Sequence, residues 1–310
     1  MSTTGDRPRR EWRTVDGIVL LDKPVGMSSN QALQRVRRLY SARKAGHTGA
    51  LDPLATGVLP LCFGQATKVA GLMLDADKTY RATLALGTRT ATGDREGEIV
   101  ETRPLPALGR GDVQDVLARF LGSSQQVPPM YSALKRDGEP LYKLARRGVE
   151  VVREPRPIRI DAIELVELDG PTLSFDVTCS KGTYVRTLGE DIASALGTTG
   201  HLAALRRTDV GGALAGLPAH PIEYLESLAA DVPALDALLW SADVILKDRP
   251  AVVLDAPATA ALLHGRVVAV ASAPGAEVRL YAADGRFLGL GEMDADGAHV
   301  RPVRLMTDPA

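Results

Sequence analysis

A chain of 310 residues with a formal net charge of −1 can bury roughly 75% of its unfolded surface, enough for one large core or two unequal ones. Cys62 and Cys179 are its two cysteines and both sit in apolar runs, which excludes a disulfide framework and a cysteine zinc site. The opening MSTTGDRPRR lacks the apolar stretch of a signal peptide and no run of about 18 apolar residues follows, so a cytoplasmic protein without membrane contact is expected.

The near-zero net charge hides local bias. Residues 1–50 hold ten Lys/Arg against four Asp/Glu, and residues 131–160 hold eight against four, whereas residues 221–247 hold one against five. Such a pattern fits a footprint for a polyanion on one face.

Gly17 to Leu21 reads as a buried strand, followed by a Lys23-Pro24-Val25-Gly26 turn and by Ser28 and Ser29 as N-cap candidates. Leu33, Val36 and Tyr40 then recur at helical spacing, with Arg35, Arg37, Arg38, Arg43 and Lys44 on the exposed side and at the end. The start of this helix is suited to phosphate. Residues 46–57, GHTGALDPLATG, come next and present one carboxylate, Asp52, on a backbone with little freedom. Pro53 fixes its own φ, while Gly46, Gly49 and Gly57 permit tight turns and close approach. Ala50, Leu51, Leu54 and Ala55 surround the acid with apolar surface, so its ionised form needs a cationic partner.

Lys78 to Leu86 alternates, with Tyr80, Ala82, Leu84 and Leu86 on one face of a half-buried strand. Thr88 to Glu98 reads as a loop, and Gly122 to Val152, rich in Pro, Tyr, Lys and Arg, as a mobile inserted arm. Ile158 to Leu168 passes through the hairpin signal Asp169-Gly170 into Leu173, Phe175, Val177 and Cys179. The following Ser180-Lys181-Gly182-Thr183-Tyr184-Val185-Arg186 reads as a Gly turn and a helix start that expose Tyr184 and Arg186. Arg186 supplies the cation that Asp52 lacks.

An acidic helix ends near Trp240, and a composition shift at Asp243 to Pro250 marks a domain boundary. Beyond it, a strand at Val252 to Leu254, a helix from Ala256 to His264 and a turn at Ala283-Asp284-Gly285 predict a compact, mostly β module. The fold class expected is α+β, with a mixed, largely antiparallel central sheet and a cleft across its middle.

Five motifs in order, GIVLLDKPVGMSSN at 17–30, AGHTGALDPLATGVLP at 45–60, DKTYRATLALG at 77–87, MYSALKRDGEPLY at 130–142 and CSKGTYVRTL at 179–188, closely resemble the TruB family of bacterial tRNA pseudouridine synthases. HLAALRR at 201–207 also fits, and RFLGLGEMDADG at 286–297 resembles the family's C-terminal RNA-binding module of the PUA type. The resemblance implies a pseudouridine synthase domain over residues 1–247, with an inserted RNA-binding arm at about 122–152, and a small PUA-like β-barrel over residues 248–310. It implies conversion of uridine 55 in the T arm of tRNA to pseudouridine; that isomerisation changes no redox state, so no cofactor and no metal are expected, and the protein is expected to be a monomer.

By position, Asp52 matches the family's catalytic aspartate, Tyr80 the tyrosine stacked on the target base, and Arg186 the arginine paired with that aspartate. His47, Tyr184 and Leu205 match positions lining the nucleotide pocket, and Lys23, Lys135 and Arg146 are expected to contact the RNA backbone. One carboxylate serves either attack at the sugar C1′ or attack at the uracil C6. Two departures stand out: Gly212-Ala213-Leu214, where a bulkier aromatic is expected, and Arg249 to Ala310, whose six Lys/Arg against seven Asp/Glu weaken the case for strong RNA binding by that module. A non-catalytic RNA-binding protein would not need Asp52, Tyr80 and Arg186 together, and a glycoside hydrolase would need a second carboxylate motif that the sequence lacks.

Overall fold

Gly17–Lys23 forms a strand covered on both faces, which is why its apolar run does not alternate: Val19 and Leu21 enter the main core, whereas Ile18 and Leu20 enter a second cluster behind it. The computed structural model describes residues 11–271 and 276–306. The opening MSTTGDRPRR, on which the expectation of no signal peptide rests, lies outside them. Among the described residues no helix is long and apolar enough to cross a membrane.

Among the described residues, one mixed sheet of nine strands organises the larger part of the chain. Its order is His220–Pro221, Gly17–Lys23, Thr56–Phe63, Gly200–Asp209, Lys78–Leu86, Thr172–Cys179, Arg156–Asp169 and Gly122–Gln126, with Ala45–His47 also paired to Thr56–Phe63. Two pairings are parallel, Gly17–Lys23 with His220–Pro221 and Thr56–Phe63 with Gly200–Asp209, and the others are antiparallel. Helices Ser29–Leu39, Arg110–Ala118 and Val185–Ala195 bury Val36, Val113 and Ile192 in the main core, each such side chain stabilising the fold by about 1.5–3 kcal/mol. Gly189 lets the last of these helices sit tightly on the sheet, because a Cβ there would lie 2.5 Å from Leu84.

Three segments differ from the expected organisation. Thr88–Thr90 and Ile99–Thr102 pair as a small hairpin, so only its turn is a loop. Gly122–Gln126 belongs to the main sheet as an edge strand rather than to a mobile arm; its exposed Ser123, Ser124 and Gln125 carry no apolar alternation because an edge strand is solvated. The acidic stretch is two short helices, Ile222–Ser227 and Val232–Asp236, the second capped by Asp231 with a proline in its first turn. Trp240 then exchanges backbone hydrogen bonds with Ile18, both at 2.8 Å.

The C-terminal five-stranded sheet runs in the order Ala251–Leu254, Glu277–Ala282, Phe287–Met293, His299–Leu305 and Val268–Ala269 around its own core of Val252, Leu262, Val278, Leu280 and Val300. Helix Ala256–Leu263 and the turn before Phe287 fall where the pattern predicts. Leu290 joins Val244, Ile245 and Leu246 in the cluster behind Ile18 and Leu20, so the composition shift at 243–250 is a packed junction.

Candidate active site

The loop carrying Asp52 is held from three sides. Gly26 N–H donates to the Pro53 carbonyl at 2.8 Å, so the Lys23-Pro24-Val25-Gly26 turn supports it from below. Ser29 brackets Leu51, its Oγ accepting from Leu51 N–H at 2.7 Å and donating to Leu51 O at 3.1 Å. On the third side Arg207 donates from Nη2 to Gly49 O at 3.2 Å and from Nε to Val58 O at 2.7 Å. Gly49 and Gly57 have φ of +81° and +101°, and a Cβ on Gly57 would lie 2.1 Å from Arg207 O, whereas Gly46 has ordinary backbone angles.

Arg186, the second residue of helix Val185–Ala195, reaches this loop from a helix packed on strands Gly200–Asp209 and Lys78–Leu86. Its Nε lies 2.9 Å from Asp52 Oδ2 and 3.9 Å from Asp94 Oδ2. Nη1 donates to Thr92 O at 3.0 Å and Nη2 to Tyr131 O at 2.8 Å, so every arm of the guanidinium is engaged. Its side chain is 6% exposed, against the expectation of an exposed arginine, because the first helical turn faces the sheet. Asp52 keeps 43% exposure through the mouth of the pocket. Burial pushes the Asp52 carboxyl above its ordinary value and Asp94 adds to the rise, while Arg186 and Lys23 oppose it.

A pocket of about 280 Å³ opens beside this pair and is lined by Asp52, Tyr80, Tyr184, Arg186, Leu205 and Arg207 among others. Tyr80, Leu205 and Arg207 come from adjacent strands, with Tyr80 opposite Arg207 and Ala82 opposite Leu205. Burial raises the Tyr80 phenol and the Arg207 charge opposes that rise. Tyr184 is fixed through its backbone: its N–H donates to Gln126 Oε1 at 2.8 Å and its carbonyl accepts from Gln126 Nε2 at 3.2 Å. A larger cleft of about 1030 Å³ lies elsewhere, and its two carboxylates are already engaged, Asp16 by Gln65 N–H and Asp236 by Arg13.

Five of the nine residues singled out in the sequence therefore converge on one pocket: Asp52, Tyr80, Tyr184, Arg186 and Leu205. His47 stands on the short strand before the loop with Nδ1 buried and unpartnered, and burial together with the Arg207 charge lowers its pKa. Lys135 and Arg146 lie on the arm, exposed and apart from the pocket, Arg146 5.7 Å from the centre of the Tyr142 ring. Lys23 is a correction. It is 0% exposed and donates from Nζ to Pro24 O and Met27 O, so it cannot meet an RNA backbone; burial brings its pKa down to about 8.

The first helix is also less available to a polyanion than its sequence suggests. Ser28 and Gln31 close a capping box over its start, Arg35 pairs with Glu226 at 2.7 Å, and Arg37 stacks on Trp12 while bonding to Ala42 O and Arg43 O. Arg207, Gln126, Asp94 and Ser29 are functional neighbours that sequence reasoning missed. Arg207 alone carried a signal, since it follows Leu205 at a spacing of two and shares its face. Potential metal ligands gather, among the described residues, at Asp294, Asp296 and His299, an exposed turn whose carboxylates accept from their own backbone at Ala298 and His299.

One carboxylate oriented by a buried guanidinium, beside a tyrosine and a leucine in a small pocket, suits covalent catalysis on a planar heterocycle shielded from water. Residues 37–185 match the family profile described as TruB family pseudouridylate synthase (N terminal domain), and residues 250–306 match the one described as pseudouridine synthase II TruB, C-terminal. The chain is similar to proteins named tRNA pseudouridine synthase B from Burkholderia mallei, 50% identical with 100% of each chain covered, and from Hydrogenovibrio crunogenus, 48% identical with 96% of each covered. It is also similar in fold to a chain in a Cbf5-Nop10-Gar1 complex, with a TM-score of 0.70, 23% identity, and 98% of this chain and 92% of that one covered. A chain of an H/ACA RNP bound to a substrate RNA containing 2′-deoxyuridine gives the same TM-score at 22% identity, with 94% and 85% covered.

Proposed function

Because the chain belongs to the TruB family of pseudouridylate synthases, and is thereby an RNA-modifying isomerase, we propose that it converts uridine 55 in the T arm of tRNA to pseudouridine through Asp52. The observation that carries this reading is the Arg186 Nε contact to Asp52 Oδ2 at 2.9 Å on the wall of the pocket that also holds Tyr80.

Isomerisation breaks the N1–C1′ bond, turns the base while it stays trapped and rejoins it through C5, with no change of redox state. Asp52 is the covalent catalyst for either attack at C1′ or attack at C6. Arg186 orients the carboxylate and, against the rise that burial causes, favours its charged form. Lifting the uridine out of its stack costs a few kcal/mol, and stacking on Tyr80 returns about 1–3 kcal/mol. Tyr80, as its phenolate, then accepts the proton that C5 gives up. Leu205, Tyr184 and His47 bound the nucleotide, and the bound base itself fills the mouth of the pocket and keeps water from intercepting the reaction.

Lys135 and Arg146 hold phosphates of the T arm, positioning it by shape more than by base edges. Residues 1–247 make up the catalytic domain and residues 248–310 the PUA-like module, and the protein acts as a cytoplasmic monomer. The test is incubation of a T-arm transcript with the purified protein and mass-spectrometric mapping of pseudouridine. Conversion at uridine 55 is expected; free uracil, or pseudouridine only at other positions, would overturn the assignment.

A further inference from the structure

Strands Lys78–Leu86 and Gly200–Asp209 place Tyr80 directly opposite Arg207, and both side chains line the pocket from one rung of the ladder. Arg207 is 1% exposed, yet its hydrogen-bond partners are the carbonyls of Val58 and Gly49, and Nη1 is buried without a hydrogen-bond partner among the described residues. A guanidinium so deeply buried normally needs an anion. The group that favours its charge here is the Tyr80 phenol.

We infer that Arg207 is a positioning residue for proton transfer: its guanidinium stabilises the Tyr80 phenolate that removes the C5 proton, while its bond to Gly49 ties that phenolate to the loop bearing Asp52. This rests on the reading of Tyr80 as the proton acceptor. In the step, C5 gives its proton to the phenolate oxygen and the electrons of the C5–H bond form the C5–C6 double bond; the C6–N1 π pair withdraws to N1, which takes up a proton in place of its lost sugar bond, or, on the C6 route, the bond from C6 to the Asp52 oxygen breaks and returns its pair to the carboxylate. Arg207 stays protonated throughout, and no oxidant or reductant is required. Burial is the largest influence on the phenol and disfavours the phenolate, as do Cys179 from the other neighbouring strand and Asp52 from the loop; Arg207 is the group that opposes them.

The experiment compares Arg207→Gln, Arg207→Lys and Tyr80→Phe on two T-arm transcripts, one with ordinary or C5-deuterated uridine at position 55 and one with 5-fluorouridine. Fluorine cannot leave C5 as a cation, so the second transcript reads the steps before proton removal. Arg207→Gln should slow pseudouridine formation by about tenfold or more and acquire a hydrogen isotope effect at C5 larger than the wild type's, while slowing rearrangement of the fluorinated nucleotide clearly less. Arg207→Lys, which keeps the charge, should recover much of the loss. Equal losses on both transcripts, no gain in isotope effect and no rescue by lysine would overturn the inference and reduce Arg207 to a loop brace. Full turnover by Tyr80→Phe would instead remove the proton-acceptor reading itself, so the two failures are distinct.

Discussion

Replacing Arg186 with alanine should separate catalysis from RNA binding. The side chain is an ion-pair partner of Asp52 at 2.9 Å, lies 3.9 Å from the buried Asp94 and donates to the Thr92 and Tyr131 carbonyls. Removing one partner of a buried charge pair costs roughly 3–5 kcal/mol, and the 43% exposure of Asp52 discounts this to about 2–4 kcal/mol of stability. Loss of a preorganised donor aimed at the reacting group costs about 10²–10³-fold in turnover. Without Arg186, burial and Asp94 raise the Asp52 carboxyl with less opposition, so the acid limb of the activity profile moves to higher pH. Arg186→Lys keeps the charge but cannot serve Asp52 and two carbonyls with one ammonium, and should fall between the two. Initial rates of pseudouridine formation, read beside fluorescence-anisotropy binding of the same T-arm hairpin and thermal melting, give the split. Equal losses of turnover and affinity in a folded Arg186→Ala protein would refute the role assigned to this pair.

Gln126→Leu strips both hydrogen bonds from the Tyr184 backbone and should cost about 2 kcal/mol in denaturant melts; a loss under about 0.5 kcal/mol would contradict the clamp. Lys23→Met tests a buried ammonium: the folded pKa of about 8 lies below the unfolded one, so the unfolded chain binds the extra proton between them and wild-type stability should rise with pH from about 8 to 10 relative to the variant. A pH-independent difference would sink that assignment. The same substitution should leave the salt dependence of RNA binding unchanged, whereas Lys135→Ala or Arg146→Ala should reduce its slope by up to about one each.

The parts of this site legible in the sequence are those where covalent constraint and chemical need coincide. Gly49, Pro53 and Gly57 advertise a shaped loop, and an acid among apolar residues demands a cation, which Arg186 supplies across the sheet. Tyr80 falls on the alternating face of its strand, whereas its role and the choice of Leu205 come through the family resemblance. Gln126 was hidden because it ends a polar edge strand and becomes buried only when Tyr184 is folded against it. Asp94 sits in the turn of a small hairpin and acquires meaning through Arg186, which is distant in sequence. Lys23 misleads for the opposite reason: a lysine beside a turn reads as exposed, but this one folds back to cap two carbonyls beneath the Asp52 loop. The basic side of the first helix likewise looks free until Glu226 and Trp12 are packed against it.

The measurement that bears most directly on Asp52 is mass-spectrometric detection of pseudouridine in a T-arm hairpin after incubation with Asp52→Asn, a substitution that keeps side-chain volume and removes the nucleophilic charge. Unchanged RNA affinity with no pseudouridine is expected. Pseudouridine at uridine 55 above trace level, from protein verified to contain asparagine at position 52, would contradict covalent catalysis by this carboxylate.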